Sequence, residues 1–162
     1  MNMRAIYPGS FDPFTLGHLN ILERASKLFD HIDIVIANNN SKDNMFTSEQ
    51  RLQIVALSVA HLDTSVSILT CSGLIADYIN EQKIEAIIRG IRGSTDLDYE
   101  IKLEQYNSKA SSAETIYLTP QTEHLNTSST LVRMFLETQR INLAAEYMRS
   151  EALSYIDSIR LI

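Results

Sequence analysis

The sequence predicts an α/β protein built on a doubly wound, five-stranded parallel sheet with helices on both faces. Three observations predict it. Strand-like and helix-like segments alternate along the chain, the order that right-handed crossovers between parallel strands require. The strand-like runs are nearly continuous in apolar residues rather than alternating, as expected of strands covered on both faces. The punctuation is one-sided: Gly9, Gly17, Gly73, Gly90 and Gly93, with Pro8, Pro13 and Pro120, all lie just after a strand or in the helix start that follows. Open parallel sheets bind ligands outside the carboxyl ends of their strands, and glycine there permits positive φ and close backbone approach. Turn formation alone would also place glycine and proline at these points.

The first strand reads as Met3–Tyr7, followed by Asp33–Ala37, Val66–Leu69, Ala86–Arg89 and Thr115–Leu118. Leu19, Leu22, Ala25, Leu28 and Phe29 recur at helical spacing after the first strand, and Leu52, Val55, Ala56 and Val59 after the second. That second helix opens on Thr47-Ser48-Glu49-Gln50, a capping box in which Thr47 caps the third amide and Gln50 reaches back. Leu74–Gln82 and Asp98–Asn107 read as the next two helices, Ser128–Thr138 follows the fifth strand, and Glu151–Ile159 closes the chain. No repeat, low-complexity tract or linker interrupts this order. The expectation is one domain over residues 1–162, with C-terminal helices from about 128 to 162 packed on it.

Bulk properties narrow the class. A chain of 162 residues, 44% hydrophobic and 21% charged, buries about 70% of its unfolded surface and needs neither disulfide nor metal to fold. Cys71 is the only cysteine, so an internal disulfide or thiolate metal cluster is excluded. No apolar run reaches the ~18 residues of a membrane span, and Met1–Gly9 lacks the apolar core of a signal peptide. The expectation is a cytoplasmic protein. The net charge of −6 argues against bulk binding to nucleic acid or anionic membrane. It leaves room for a small anion, because a pocket's field depends on the few charges that line it.

The stretch from Tyr7 to His18 joins the first strand to the first helix and has the parts of an anion site. Thr15 can cap the helix. Gly17 then lies in the first turn, where unpaired amides and the positive dipole end favour phosphate. His18 can donate a ring N–H to a phosphate oxygen, and Ser10 adds a hydroxyl and an amide. His31, His61 and His124 stand outside this constellation. No Ser-His-Asp or Cys-His arrangement can be argued from the sequence.

Gly9-Ser10-Phe11-Asp12-Pro13 with Thr15-Leu16-Gly17-His18 resembles the G-S/T-F-D-P and H/T-x-G-H signature of the nucleotidylyltransferase superfamily. That resemblance implies a Rossmann-like fold and transfer of a nucleotidyl group from a nucleoside triphosphate. Further segments resemble those of bacterial-type phosphopantetheine adenylyltransferases: Ser41–Thr47 with Lys42, Arg89-Gly90-Ile91-Arg92-Gly93, Asp96–Glu100 with Asn107, and Thr127-Ser128-Ser129-Thr130. The chain departs from that pattern at Asn40, Asp43, Met134 and Glu137 and across residues 140–148.

The resemblance implies reversible transfer of AMP from ATP to 4′-phosphopantetheine, giving dephospho-coenzyme A and pyrophosphate without a covalent intermediate. A phosphate monoester is largely a dianion at pH 7 and is already a nucleophile, so no general base is required. What the reaction needs is alignment and charge stabilisation. By resemblance, His18, Lys42 and Arg92 would be catalytic. ATP would meet Ser10, Phe11, Thr15, Gly17, His18, Gly90, Ile91, Arg92, Glu100 and the turn His124-Leu125-Asn126-Thr127-Ser128-Ser129-Thr130. The phosphopantetheine arm would meet Ser10, Lys42, Leu74 and Arg89. Mg2+ would ride on the triphosphate, held mostly by phosphate oxygens and water. The resemblance also implies coenzyme A as an inhibitor and a homohexamer built as a dimer of trimers, with no nucleic-acid or membrane partner. Sister nucleotidylyltransferases acting on nicotinamide or nicotinate mononucleotide, cytidylyltransferases, and a non-catalytic ATP-sensing module remain alternatives. A fragment of a class I aminoacyl-tRNA synthetase fits poorly with an acidic chain lacking a lysine-rich second signature.

Overall fold

A computed structural model describes residues 3–38 and 43–160. Five strands, β1 (Arg4–Gly9), β2 (His31–Ala37), β3 (Val66–Cys71), β4 (Ala86–Gly90) and β5 (Glu114–Leu118), form one sheet in the order β3-β2-β1-β4-β5. Every neighbouring pair is parallel. Helices α1 (Leu16–Ala25), α2 (Ser48–Val59), α3 (Ile75–Gln82) and α4 (Ser94–Ala110) make the crossovers. A short turn of 3-10 helix (Thr122–His124) leads to α5 (Ser129–Glu137), α6 (Ile141–Ala144) and α7 (Ser150–Arg160). The α/β, Rossmann-like, doubly wound sheet expected from the sequence is the one observed.

The alternation of side chains along each strand sorts the core into two layers. Ala5, Tyr7, Ile32, Ile34, Ile36, Ala86 and Ile88 point to one face, where α1, α2, α5 and α7 supply Leu22, Ile54, Val55, Leu136 and Ile156. Ile6, Val35 and Ile87 point to the other, against Ile79, Ile84 and Ala113. Ile34 is fully buried, so Ile34→Ala would cost about 2–5 kcal/mol. The chain runs outward from β1 to β2 and β3, then crosses back to β4. The switch point therefore lies between β1 and β4, where such sheets bind ligands.

Several boundaries differ from expectation. Pro8, Gly9 and Gly90 lie inside the last residues of their strands rather than after them. α4 starts at Ser94, four residues earlier than its apolar spacing suggests. Its extra first turn is held by Asp96, whose carboxylate accepts from the Arg92 amide at 3.1 Å. α6 is a single turn, too short to show a period. No glycine among the described residues has positive φ; Gly9, Gly17 and Gly90 serve close approach rather than a left-handed backbone, while Gly73 and Gly93 have no neighbour within 4 Å of a Cβ. Among the described residues no helix is long and apolar enough to cross a membrane.

Candidate active site

The β1 end is shaped by aromatic packing. A Cβ on Gly9 would lie 2.8 Å from the Phe11 ring, so only glycine lets that ring fold back over the strand. Phe11 itself takes the positive φ, at 46°, a conformation that costs a non-glycine residue about 1 kcal/mol or more. Its burial repays this: the ring sits edge-on to Tyr7 and His18 at 5.3 and 5.2 Å and tilted on Phe14 at 5.2 Å. Asp12 is buried, and its two carboxylate oxygens accept from the amides of Met45 and Phe46 at 2.9 and 3.0 Å. The Ser10 turn is thus tied to the start of α2.

Thr15 is the N-cap of α1, as its place before the apolar run predicts. The partner in its capping box is His18, not the usual Glu or Gln: the Thr15 amide donates to His18 Nδ1 at 3.0 Å. An amide can only donate, so Nδ1 carries the lone pair and the neutral ring carries its proton on Nε2. The ring lies between Phe11 and Phe14. Burial there, with a smaller contribution from the Arg92 charge, lowers its pKa to about 4. At neutral pH His18 is an uncharged N–H donor of fixed tautomer. Gly17 precedes it because a Cβ there would come within 3.3–3.4 Å of Thr127; α1 starts hard against the turn before α5.

At the β4 end Arg89 forms a two-pronged pair with Glu100, Nε and Nη2 each donating at 2.6 Å, while Nη1 donates to the Pro8 carbonyl at 3.2 Å. Arg92 is looser, pairing with Asp96 at 3.0 Å and 44% exposed along its side chain. The Tyr7 phenol lies beneath, its pKa pushed well above the ordinary value by burial. Ser128 caps α5 by accepting from the Leu131 amide at 3.1 Å, and Ser129 donates to the Pro13 carbonyl at 2.8 Å. Arg133 donates to the Asp12 carbonyl at 2.6 Å.

These parts enclose two clefts at the carboxyl ends of the strands. The larger, about 400 Å3, is lined by Ser10, Phe11, Thr15, Gly17, His18, Arg89, Gly90, Arg92, His124 and Thr127–Thr130. The second, about 310 Å3, lies on the side of α3 and α4 and is lined by Ala37, Asn44, Ile75, Ile87, Tyr99, Leu103 and Asn107. Pro8, Gly9, Ser10 and Arg89 belong to both. Three arginines (Arg89, Arg92 and Arg133) and the starts of α1 and α5 face the larger cleft, an arrangement that attracts an extended polyanion.

Most residues singled out from the sequence converge here, and some do not. Glu100 is 8% exposed with both oxygens spent on Arg89, so it lines neither cleft and supports an arginine instead of facing a ligand. Ile91 is buried, with its amide donating to the Leu118 carbonyl. Leu125 and Asn126 are exposed, and Leu74 is 71% exposed; none of these lines either cleft. Lys42 lies outside the described residues. His124, outside the first constellation but assigned to the nucleotide by the resemblance, lines the larger cleft with Thr127–Thr130. Tyr7 and Pro120 were noted only as ends of strand-to-helix turns, and Ile21 and Arg133 were missed. Arg133 alone carried a signal, a cation one turn into a helix that starts with Ser128-Ser129-Thr130.

Two solved structures of Plasmodium falciparum nicotinic acid mononucleotide adenylyltransferase, complexed with NaAD and with APC, share the fold. Their TM-scores are 0.71 and 0.72, at 20% identity over 99% of this chain and 97% of theirs. A lipopolysaccharide core biosynthesis protein from Thermoplasma volcanium GSS1 is similar at a TM-score of 0.53 and 24% identity, over 73% of this chain and 97% of that one. Residues 6–135, which carry β1 through most of α5 and both clefts, match the cytidylyltransferase-like family. The two clefts, the histidine-capped first helix and this match agree: the chain belongs to the cytidylyltransferase-like family, within the nucleotidylyltransferase superfamily.

Proposed function

We propose that the protein catalyses reversible adenylyl transfer from ATP to 4′-phosphopantetheine, forming dephospho-coenzyme A and pyrophosphate. The observation that carries this is the sharing of Ser10 and Arg89 by two clefts of different character. ATP fits the larger, with its phosphates toward the starts of α1 and α5 and toward Arg92. The acceptor's phosphate would enter at the shared residues, and its less polar arm would run along Ile75, Tyr99 and Leu103 of the second cleft. The acceptor dianion attacks the α-phosphorus in line, and pyrophosphate leaves opposite. His18 Nε2–H donates to an α-phosphate oxygen and is worth most where charge builds in the transition state. By the resemblance Lys42 would supply a further positive charge to the transferring group, and Glu100 keeps Arg89 in place.

Among the described residues no group of three or more His, Cys, Asp or Glu side chains converges. Mg2+ is proposed on the resemblance, as an ion that would be held by triphosphate oxygens and water and would neutralise charge there. A homohexamer is proposed on the resemblance and on α4, which leaves Leu97, Tyr99, Ile101 and Tyr106 exposed. We also carry over a cytoplasmic location and inhibition by coenzyme A as parts of this proposal.

The test is direct. The protein is mixed with ATP, Mg2+ and 4′-phosphopantetheine, and dephospho-coenzyme A is sought by mass spectrometry. Parallel arms offer nicotinate and nicotinamide mononucleotide, with pyrophosphate release scored in each. Turnover only with a mononucleotide would move the protein to a sister activity, that of the Plasmodium falciparum enzyme whose fold it shares. ATP binding without turnover in any arm would make it a sensing module.

A further inference from the structure

Arg51 stands in the first turn of α2 and lines neither cleft. It is only 2% exposed. Its guanidinium meets neutral oxygens: Nη1 donates to the Ser10 carbonyl at 2.7 Å and, less closely, to Ala37 at 3.4 Å. Nη2 donates to Asn38 Oδ1 at 2.8 Å and to Ser48 Oγ at 3.4 Å. Among the described residues no carboxylate forms an ion pair with it. The Asp12 and Glu49 charges reach it, but neither forms an ion pair with it, and the Asp12 oxygens are spent on the Met45 and Phe46 amides.

A buried cation held by neutral groups is an expensive way to stabilise a fold, since an apolar side chain of similar volume would do as well or better. Its partners suggest another reason. Ser10 belongs to both clefts. Asn38 closes β2, and its amide donates to the Cys71 carbonyl at the end of β3 at 3.0 Å. One planar fork therefore spans the carboxyl ends of β1 and β2 and reaches β3 through Asn38. We infer that Arg51 is a positioning residue for the transfer reaction: its two-pronged contact fixes the Ser10 turn against the β2 end, so that reactants in the two clefts meet in line. This rests on the proposed adenylyl transfer for its catalytic consequence. Lysine cannot replace the fork, because one ammonium on a flexible stem cannot hold two oxygens in a fixed plane. A misplacement of about 1 Å between reactants costs on the order of 100-fold in rate.

The variants are Arg51→Lys, which keeps the charge, Arg51→Met, and Asn38→Ala, which removes one acceptor. At a temperature well below each melting point, Arg51→Lys should lower kcat by about 10- to 100-fold, with the calorimetric Kd for ATP changed by less than about 3-fold. Asn38→Ala should lower kcat less, and adding it to Arg51→Lys should cost little more, because both act on one contact. A kcat for Arg51→Lys within twofold of the parent would overturn the inference and leave Arg51 a merely structural residue. Hydrogen exchange gives a reading independent of any acceptor. The amides of Met45 and Phe46, bonded to the Ser10–Asp12 turn, should exchange at least about 10-fold faster in Arg51→Lys, with Ile87 and Ile88 of β4 unchanged. Unchanged exchange at Met45 and Phe46 would also overturn the inference, even if the parent protein transferred AMP to none of the acceptors offered. Should Arg51→Met fail to fold, Arg51→Lys and Asn38→Ala still decide.

Discussion

His18 does two things with its two nitrogens, and a pair of substitutions separates them. Nδ1 accepts the Thr15 amide at 3.0 Å and completes the cap of α1. Nε2–H faces the larger cleft as a neutral donor. His18→Ala removes both. The lost transition-state donor should lower kcat by about 10²–10⁴, equivalent to about 3–5 kcal/mol of barrier. The lost cap should cost about 1 kcal/mol of stability, or roughly 2–4 °C in Tm for a chain of this size, with more from the gap between Phe11 and Phe14. His18→Gln restores the ordinary capping-box partner of a threonine but shortens and redirects the donor. It should recover most of the cap's share of Tm while kcat stays at least about 100-fold down. Pyrophosphate release under saturating ATP and acceptor gives kcat, and thermal melts give Tm. Near-normal turnover in His18→Ala would refute the catalytic reading. Turnover recovering together with Tm in His18→Gln would show that the ring matters only as a cap.

The low pKa of His18 has a signed consequence for stability. Between pH 6.5 and about 4 the unfolded ring takes up a proton that the folded ring refuses, so its contribution is whole above 6.5 and falls as pH drops through that window. Tm against pH should be steeper there in the parent than in His18→Gln; parallel curves would contradict the assignment. Arg89→Ala should raise KM for the acceptor more than for ATP, and should also lower stability by about 3–5 kcal/mol because Glu100 is left buried without its partner. If only the ATP KM moves, the two clefts have been assigned the wrong way round. Gly9→Ala should cost about 1–3 kcal/mol, since its methyl would meet a Phe11 ring already packed against Tyr7, Phe14 and His18. An unchanged Tm would mean that the ring moves freely.

Legibility in the sequence followed the range of the interactions concerned. The parallel sheet was readable because its signals are local: apolar runs, helical spacing, and the Thr47 and Thr15 caps each span a few residues. The cleft was readable from the one-sided punctuation, although the reason given for it was incomplete. Glycine at positions 9, 17 and 90 answers neighbours that approach within 2.8–3.3 Å, and two of those neighbours, Thr127 and Ile21, are remote in sequence. Glu100 was misplaced for a related reason. The resemblance assigned this carboxylate to the nucleotide, but whether it faces a ligand or a guanidinium depends on a contact with Arg89, 11 residues away in sequence. Arg51 and Arg133 escaped because a cation on a helix ordinarily reads as a solvated surface, and only the tertiary fold turns these two inward onto backbone carbonyls.

Those carbonyls connect the topology to the chemistry. Parallel strands that end together leave a row of carbonyl oxygens along the rim, and such a rim repels the phosphates that the proposed reaction must bring to it. Three arginines answer along the row: Arg89 on Pro8, Arg51 on Ser10, and Arg133 on Asp12, at 3.2, 2.7 and 2.6 Å. Each engages a carbonyl oxygen at the end of β1 or in the turn that follows it, which lessens the repulsion between those oxygens and an anion. The chain carries a net charge of −6, yet this rim gathers three guanidinium groups and two helix starts. That local concentration of positive charge is what the proposed transfer needs if one short turn is to serve two negatively charged reactants at once.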